Sequence, residues 1–289
     1  MSAQNWVALR VEVPPAVAED VAAFLVDEGA PAVVTELGEA GVRVEAHVPA
    51  ADESRLAAVL ARYLGTVPTA LTTVALPVVD WSALARRHHR PRRVGERLLV
   101  APPWDVPVAP GREVLVIDPG MAFGTGQHAT TRGCLEAIER ALAAAPATTA
   151  LDVGTGSGLL ALALARLGVP RVVALDVDPR VLPLARANLE QNGAPHVVLL
   201  AGTAHAVRGS FDLVVANLLA ELIVADAKAL AGCVAPGGCL ILSGLLDEQA
   251  TAVQRAFPGW RLTGGGSEDG WRTLVLARDV PSTRAGAGP

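Results

Sequence analysis

Lysine is almost missing from this chain: Lys228 stands alone, and arginine supplies the other fixed positive charges. That reads as compositional bias rather than chemistry. Aromatic residues make up only 3%, so Ala, Val and Leu must do most of the packing. There are three cysteines, Cys134, Cys233 and Cys239, at no metal-ligand spacing. They read as reduced small hydrophobes of a cytosolic protein, and no metal site is expected. No basic start is followed by a long apolar stretch, and no uncharged run approaches the ~20 residues of a membrane span. The expectation is therefore a soluble cytoplasmic protein with no membrane contact. A net charge of −5 argues against a general coat for nucleic acid, though a local basic patch remains open. At 289 residues the chain has room for one or two domains.

The first eighty residues carry two periodicities. Val7, Leu9, Val11 and Val13 alternate with polar residues, as in a half-buried strand. Val17, Val21, Phe24 and Leu25 then share one helical face. Strands follow at 31–37 and 42–48. Asp52 is placed to cap a second helix whose stripe includes Leu56, Leu60 and Leu64, and a strand at 71–79 closes the set. The order β-α-β-β-α-β is ferredoxin-like, a small α+β domain over 1–79. It holds no catalytic constellation, which suits binding or positioning.

Residues 80–95 read as a linker helix capped by Asp80 and stopped by Pro91. Arg86, Arg87, Arg90, Arg92 and Arg93, with His88 and His89, form the strongest basic cluster. It is either a solvated face or a contact for RNA or an acidic partner.

Beyond the linker, strands are read at 97–101 and 113–117 and a helix from about Thr130 to Ala144; from Leu151 to 277 strands and helices alternate, which means a doubly wound, Rossmann-like parallel sheet with helices on both faces. One helix is read over 179–192, with Pro183 distorting its first turns, and another over 220–234. Ligands of such a sheet lie at the carboxyl ends of its strands. Four stretches converge there. Asp152-Val-Gly-Thr-Gly-Ser-Gly158 is a glycine-rich turn from strand to helix, with Gly154 and Gly156 placed for close backbone approach to a ligand. Asp176 ends the next strand, where a carboxylate accepts from ribose hydroxyls. Asn217 ends the strand Phe211-Asp-Leu-Val-Val-Ala-Asn217 and either caps the next helix or lines the site. The loop Asp118-Pro-Gly-Met-Ala-Phe-Gly-Thr-Gly-Gln-His-Ala-Thr-Thr131 either folds over a ligand or simply joins a strand to a helix. The turn alone leaves nicotinamide, flavin and S-adenosylmethionine open.

These runs, together with Asp176-Val-Asp-Pro179, Val215-Ala-Asn-Leu-Leu219 and Leu242-Ser-Gly244, resemble the bacterial PrmA family, whose members methylate ribosomal protein L eleven of the large subunit. The resemblance spans nearly the whole chain and implies a class I methyltransferase domain over 96–278. It also implies S-adenosylmethionine as cofactor, contacted at Thr131, Gly154, Asp176 and Asn217. Family members often carry Cys where this chain has Thr155, a position that presents its backbone to the cofactor. The implied reaction is transfer of methyl groups to lysine side-chain and α-amino nitrogens. The arrangement of the chain, with every site residue beyond the small domain and the linker, suggests that the small domain holds the substrate. Asn217 is the candidate catalytic residue; no general base stands out. Two other readings differ in class. A nicotinamide oxidoreductase shares the turn and Asp176 but predicts a catalytic acid that is not found. An RNA methyltransferase, or an RNA-binding module built on Arg86–Arg93, predicts salt-dependent RNA affinity. A local rRNA contact through the basic linker is compatible with the methyltransferase reading. A monomer is expected, with a disordered tail over 279–289.

Overall fold

The computed structural model describes residues 6–30, 32–38, 41–65, 70–75, 89–119 and 124–278. They fall into two units, Met1–Ala85 and Arg86–Pro289.

The first unit runs β1 (Trp6–Val13), α1 (Pro15–Asp27), β2 (Ala32–Gly38), β3 (Gly41–Pro49), α2 (Glu53–Leu64) and β4 (Ala70–Ala75). The strand order is β2-β3-β1-β4 with every pairing antiparallel, the ferredoxin-like arrangement. Register sets Leu9 opposite Ala46 and Val11 opposite Val44, so one sheet face is apolar. Val21 and Leu25 of α1 and Leu56 and Leu60 of α2 pack on it. Each fully buried Leu or Val contributes about 1.5–3 kcal/mol relative to exposure, which is why the two periodicities fix this layering. Asp52 does not cap α2 with its side chain. Its carbonyl accepts from the Leu56 N–H at 2.9 Å, while its carboxylate lies 3.9 Å from Arg55.

Residues 76–88, and with them most of the expected linker helix, Arg86, Arg87 and His88, lie outside the described residues. The helix is expected to stop at Pro91, and the linker residues 92–94 beyond it are extended. Arg92–Val94 is a strand, β5, antiparallel to β6 (Leu98–Ala101). Pro91 has no N–H to continue a helix, and the strand buries Val94. β7 (Glu113–Val116) adds in parallel to β6.

The second unit continues with α3 (Ala129–Ala144), β8 (Thr149–Val153), α4 (Leu159–Arg166), β9 (Arg171–Asp176), α5 (Leu182–Gln191), β10 (Val198–Ala201) and β11 (Phe211–Asn217). It ends with α6 (Ala220–Ala225), α7 (Ala227–Gly232), β12 (Val234–Leu246), α8 (Ala250–Arg255), β13 (Arg261–Glu268) and β14 (Trp271–Ala277). The sheet order is β10-β9-β8-β11-β12-β14-β13. The first five strands are parallel, and β14 is antiparallel to both its neighbours. Successive residues of the central strands feed opposite cores. Ala150 and Val215 pack with Leu135, Ile138 and Leu164, whereas Leu151 and Val214 pack with Ile223, Leu230 and Val253. The chain reverses its winding between β8 and β11, which opens a crevice at their carboxyl ends.

Three details depart from the pattern read in the sequence. The helix over 220–234 is two helices that meet at Asp226. Helix α5 starts only at Leu182, so Pro183 falls in its first turn, where its missing N–H has no partner to lose and nothing is distorted. Strand β13 was not anticipated. The expected disordered tail, 279–289, lies outside the described residues. No helix among the described residues is long and apolar enough to cross a membrane.

Candidate active site

The turn Gly154–Gly158 leaves β8 and enters α4 with all three glycines in the left-handed region. The φ of +77° at Gly154 favours glycine, and a Cβ there would also lie 2.6 Å from a terminal methyl of Leu218, which would have to turn aside. The Gly154 and Thr155 N–H groups donate to the Leu175 carbonyl at 2.8 and 3.0 Å, clamping the turn to β9. At the end of β9, one oxygen of Asp176 accepts from the Gly156 N–H at 2.9 Å and the other from the Asp178 N–H at 3.0 Å. A carboxylate offers about four lone-pair sites, so Asp176 is held firmly and still has acceptor capacity for a ligand.

Behind the turn, Asp152 is fully buried. One oxygen accepts from the Thr155 hydroxyl at 2.7 Å and the Ala161 N–H at 3.1 Å. The other has no hydrogen-bond partner among the described residues. Burial pushes its acid up to about 7, against the pull of the Thr155 hydrogen bond. Thr155 thus turns its hydroxyl inward.

The loop leading to α3 is held at several points, with residues 120–123 outside the described set. The Asp118 N–H donates to Asn188 Oδ1 at 2.9 Å, and Asn188 Nδ2 donates to the Ser157 carbonyl at 2.9 Å. The Ser157 hydroxyl donates to the Gly124 carbonyl at 2.8 Å. His128 caps α3 by accepting from the Thr130 N–H at 3.3 Å. Thr131 is fully buried in the first turn, and Asn217 Nδ2 donates to its hydroxyl at 3.4 Å. The buried Asn217 Oδ1 has no hydrogen-bond partner among the described residues. If the amide is turned over, its nitrogen is left in the same place, so a polar atom stays unsatisfied in either orientation.

One cavity of about 390 Å³ collects these groups. Thr131, Gly154, Gly156, Asp176 and Asn217, all singled out in the sequence, line it together with Gly124. Leu218, Thr203, Leu222 and Asp226 also line it and were not foreseen; Asp226 holds His205 at 3.0 Å. Asp176 and Asp226 are the ionisable residues of this lining. No group of three or more His, Cys, Asp or Glu suited to a metal occurs among the described residues. Burial raises the Cys134, Cys233 and Cys239 thiols, which makes them poor nucleophiles.

Residues 5–279 match the family model described as ribosomal protein L11 methyltransferase (PrmA). The chain belongs to the PrmA family. It is therefore a methyltransferase, and its larger unit is a class I methyltransferase domain. The ribosomal protein L11 methyltransferase of Geobacter metallireducens is 38% identical over 282 residues, covering 90% of this chain and 93% of that protein. That of Pelotomaculum thermopropionicum is 45% identical over 219 residues, covering 73% and 70%. The crystal structure of a ribosomal protein L11 methylase from Lactobacillus delbrueckii subsp. bulgaricus superposes with a TM-score of 0.61 at 32% identity, covering 66% of this chain and all of that one. The family match favours neither the oxidoreductase nor the RNA-directed reading.

Proposed function

We propose that this chain transfers methyl groups from S-adenosylmethionine to lysine side-chain and N-terminal amines of ribosomal protein L11. The observation that carries the reading is the unsatisfied Asn217 amide in a cavity that also presents Asp176 and the bare backbone of the glycine turn. These groups suit the cofactor: a carboxylate with spare lone pairs for the ribose, glycines where a Cβ would intrude, and a buried polar atom lacking a partner. When bound, S-adenosylmethionine would supply an electrophilic methyl on a sulfonium, taken by an amine in an in-line displacement that breaks the methyl–sulfur bond and releases S-adenosylhomocysteine.

The residues then divide the work. Asp176 and the Gly154–Gly156 backbone orient the nucleoside end. Thr131 and Asn217 shape the opposite end, where the Asn217 amide is placed to hold an amine by accepting one of its hydrogens. Free lysine has a pKa of ~10.4, so the amine must shed a proton before it reacts. The apolar walls at Leu218 and Leu222 favour the neutral form once a substrate covers them. Most of the acceleration then comes from alignment of nitrogen, methyl and sulfur.

The ferredoxin-like unit, with a core of its own and no catalytic constellation, is read as the holder of the protein substrate. Each unit buries its apolar clusters within one chain, which favours a monomer. Exposed Arg90, Arg92 and Arg93 suit a local contact with rRNA beside the substrate. The enzyme is placed in the cytoplasm, where ribosomal proteins are assembled. Mass spectrometry of ribosomal proteins from cells with and without this chain tests the reading. Methylation of L11 should disappear with the chain, and unchanged L11 would overturn it.

A further inference from the structure

The hairpin of β13 and β14 contributes no residue to the cavity, yet it meets the first turns of α3 and their cap, at the end of the loop beside the cavity, at three points. A Cβ on Gly133 would lie 2.3 Å from the Thr273 hydroxyl, so β14 runs directly against the backbone of α3. The His128 and Trp271 rings meet edge-on with centroids 4.9 Å apart. Arg132, 7% exposed, reaches the hairpin tip: its Nε lies 3.1 Å from both oxygens of Glu268 and its Nη2 lies 2.6 Å from one of them. Its Nη1 donates to the carbonyl of Gln127, inside the loop. Gln127 Nε2 donates in turn to the Arg90 carbonyl at 3.1 Å. The tip is a two-residue Asp269-Gly270 turn with φ of +54° and +78°, the twist that closes a tight hairpin. Backbone geometry therefore sets where Glu268 stands.

We propose that Arg132 and Glu268 are a positioning pair for cofactor binding, fastening the 124–131 backbone from behind so that Gly124 and Thr131 stay at the cavity wall. The inference rests on reading that cavity as the S-adenosylmethionine site. A buried guanidinium needs its carboxylate. Asp269 Oδ2 is a second carboxylate oxygen but lies farther from Nη2, at 3.5 Å, on an exposed side chain. Without Glu268 the guanidinium is drawn toward the hairpin tip and water, and its tie to Gln127 weakens. Thr131 precedes Arg132, and its 3.4 Å bond to Asn217 is already at the long limit, so a small displacement breaks it.

Glu268 is half exposed and lies outside the cavity lining, which makes it the position to change. In the full-length protein, Glu268→Ala should weaken binding of S-adenosylhomocysteine ~10-fold by calorimetry and raise KM for S-adenosylmethionine more than it lowers kcat. Glu268→Gln keeps an acceptor oxygen and should lose ~3-fold or less. Amide exchange should accelerate at 124–131 and at the hairpin tip, with the central strands unchanged. Combined with Thr131→Ala, the losses should be less than additive, because both act on one wall. Native affinity in folded Glu268→Ala, or full additivity with Thr131→Ala, would overturn the pair while leaving the cavity reading intact. Failure of the unaltered protein to bind S-adenosylhomocysteine would overturn both.

Discussion

Replacing Asp176 by Ala removes a carboxylate whose two oxygens already hold the Gly156 and Asp178 N–H groups. Two further lone-pair directions remain, which suits the two neighbouring hydroxyls of a ribose. A hydrogen bond to a charged acceptor contributes roughly 1.5–3 kcal/mol net, so two of them set an upper range near ~3–6 kcal/mol. Water can enter beside this half-buried position and recover part of that. The expected loss is at least ~1.5 kcal/mol, about a tenfold weaker dissociation constant, with ~100-fold within reach. The freed Gly156 N–H also loosens the turn, which adds to the loss. Calorimetric titration with S-adenosylhomocysteine measures it, and thermal unfolding checks that the variant is folded. Asp176→Asn, with one acceptor oxygen left, should fall between the two. Unchanged affinity in folded Asp176→Ala would remove this residue from the cofactor site and refute the reasoning.

Three further outcomes follow from the same geometry. A Cβ at Gly124 would meet only the Ser157 hydroxyl at 3.3 Å, whereas one at Gly126 would press on Val100 at 2.9 Å and Leu159 at 3.3 Å. Gly124→Val should therefore cut activity more than melting temperature and Gly126→Val should lower both; equal losses in the two variants would contradict this. Burial raises the Asp152 acid from 3.8 to about 7, so its stabilising neutral form is fully present below pH ~4 and lost as pH rises to about 7. Asp152→Asn cannot ionise and should gain melting temperature on the native protein as pH rises from about 5 to 8; a constant difference across that range would refute the assignment. A chain beginning at Asp80 should bind S-adenosylhomocysteine normally but methylate L11 ~100-fold more slowly, because positioning is lost while the reacting site is kept. Methylation of L11 at the full-length rate would remove the small unit from substrate holding.

The sheet and the turn were legible because their signals are local. Alternating Val and Leu mark strand faces, and a carboxylate or amide directly after such a run must fall at a strand end, which placed Asp176 and Asn217 together. Strand β13 was hidden by Gly264, Gly265 and Gly266, which leave no apolar pattern, although the following Asp269-Gly270 was a hairpin signal in its own right. The break at Asp226 was masked by the Ala-rich helix formers around it. Asn188 carried no motif; it looks like any polar helix residue until the fold brings it to Asp118, 70 positions away. Thr203 and Asp226 reach the site by the same long-range route, which no spacing in the sequence encodes.

The most direct measurement is the intact mass of purified ribosomal protein L11 after incubation with the full-length chain and S-adenosylmethionine, followed by mapping of the modified positions. L11 should gain mass in whole methyl increments on lysine side-chain and N-terminal amines, and Asp176→Ala should slow that gain at limiting cofactor. Unmodified L11 in a preparation that binds S-adenosylhomocysteine, with the methyl label carried by rRNA or by nothing, would contradict the assignment.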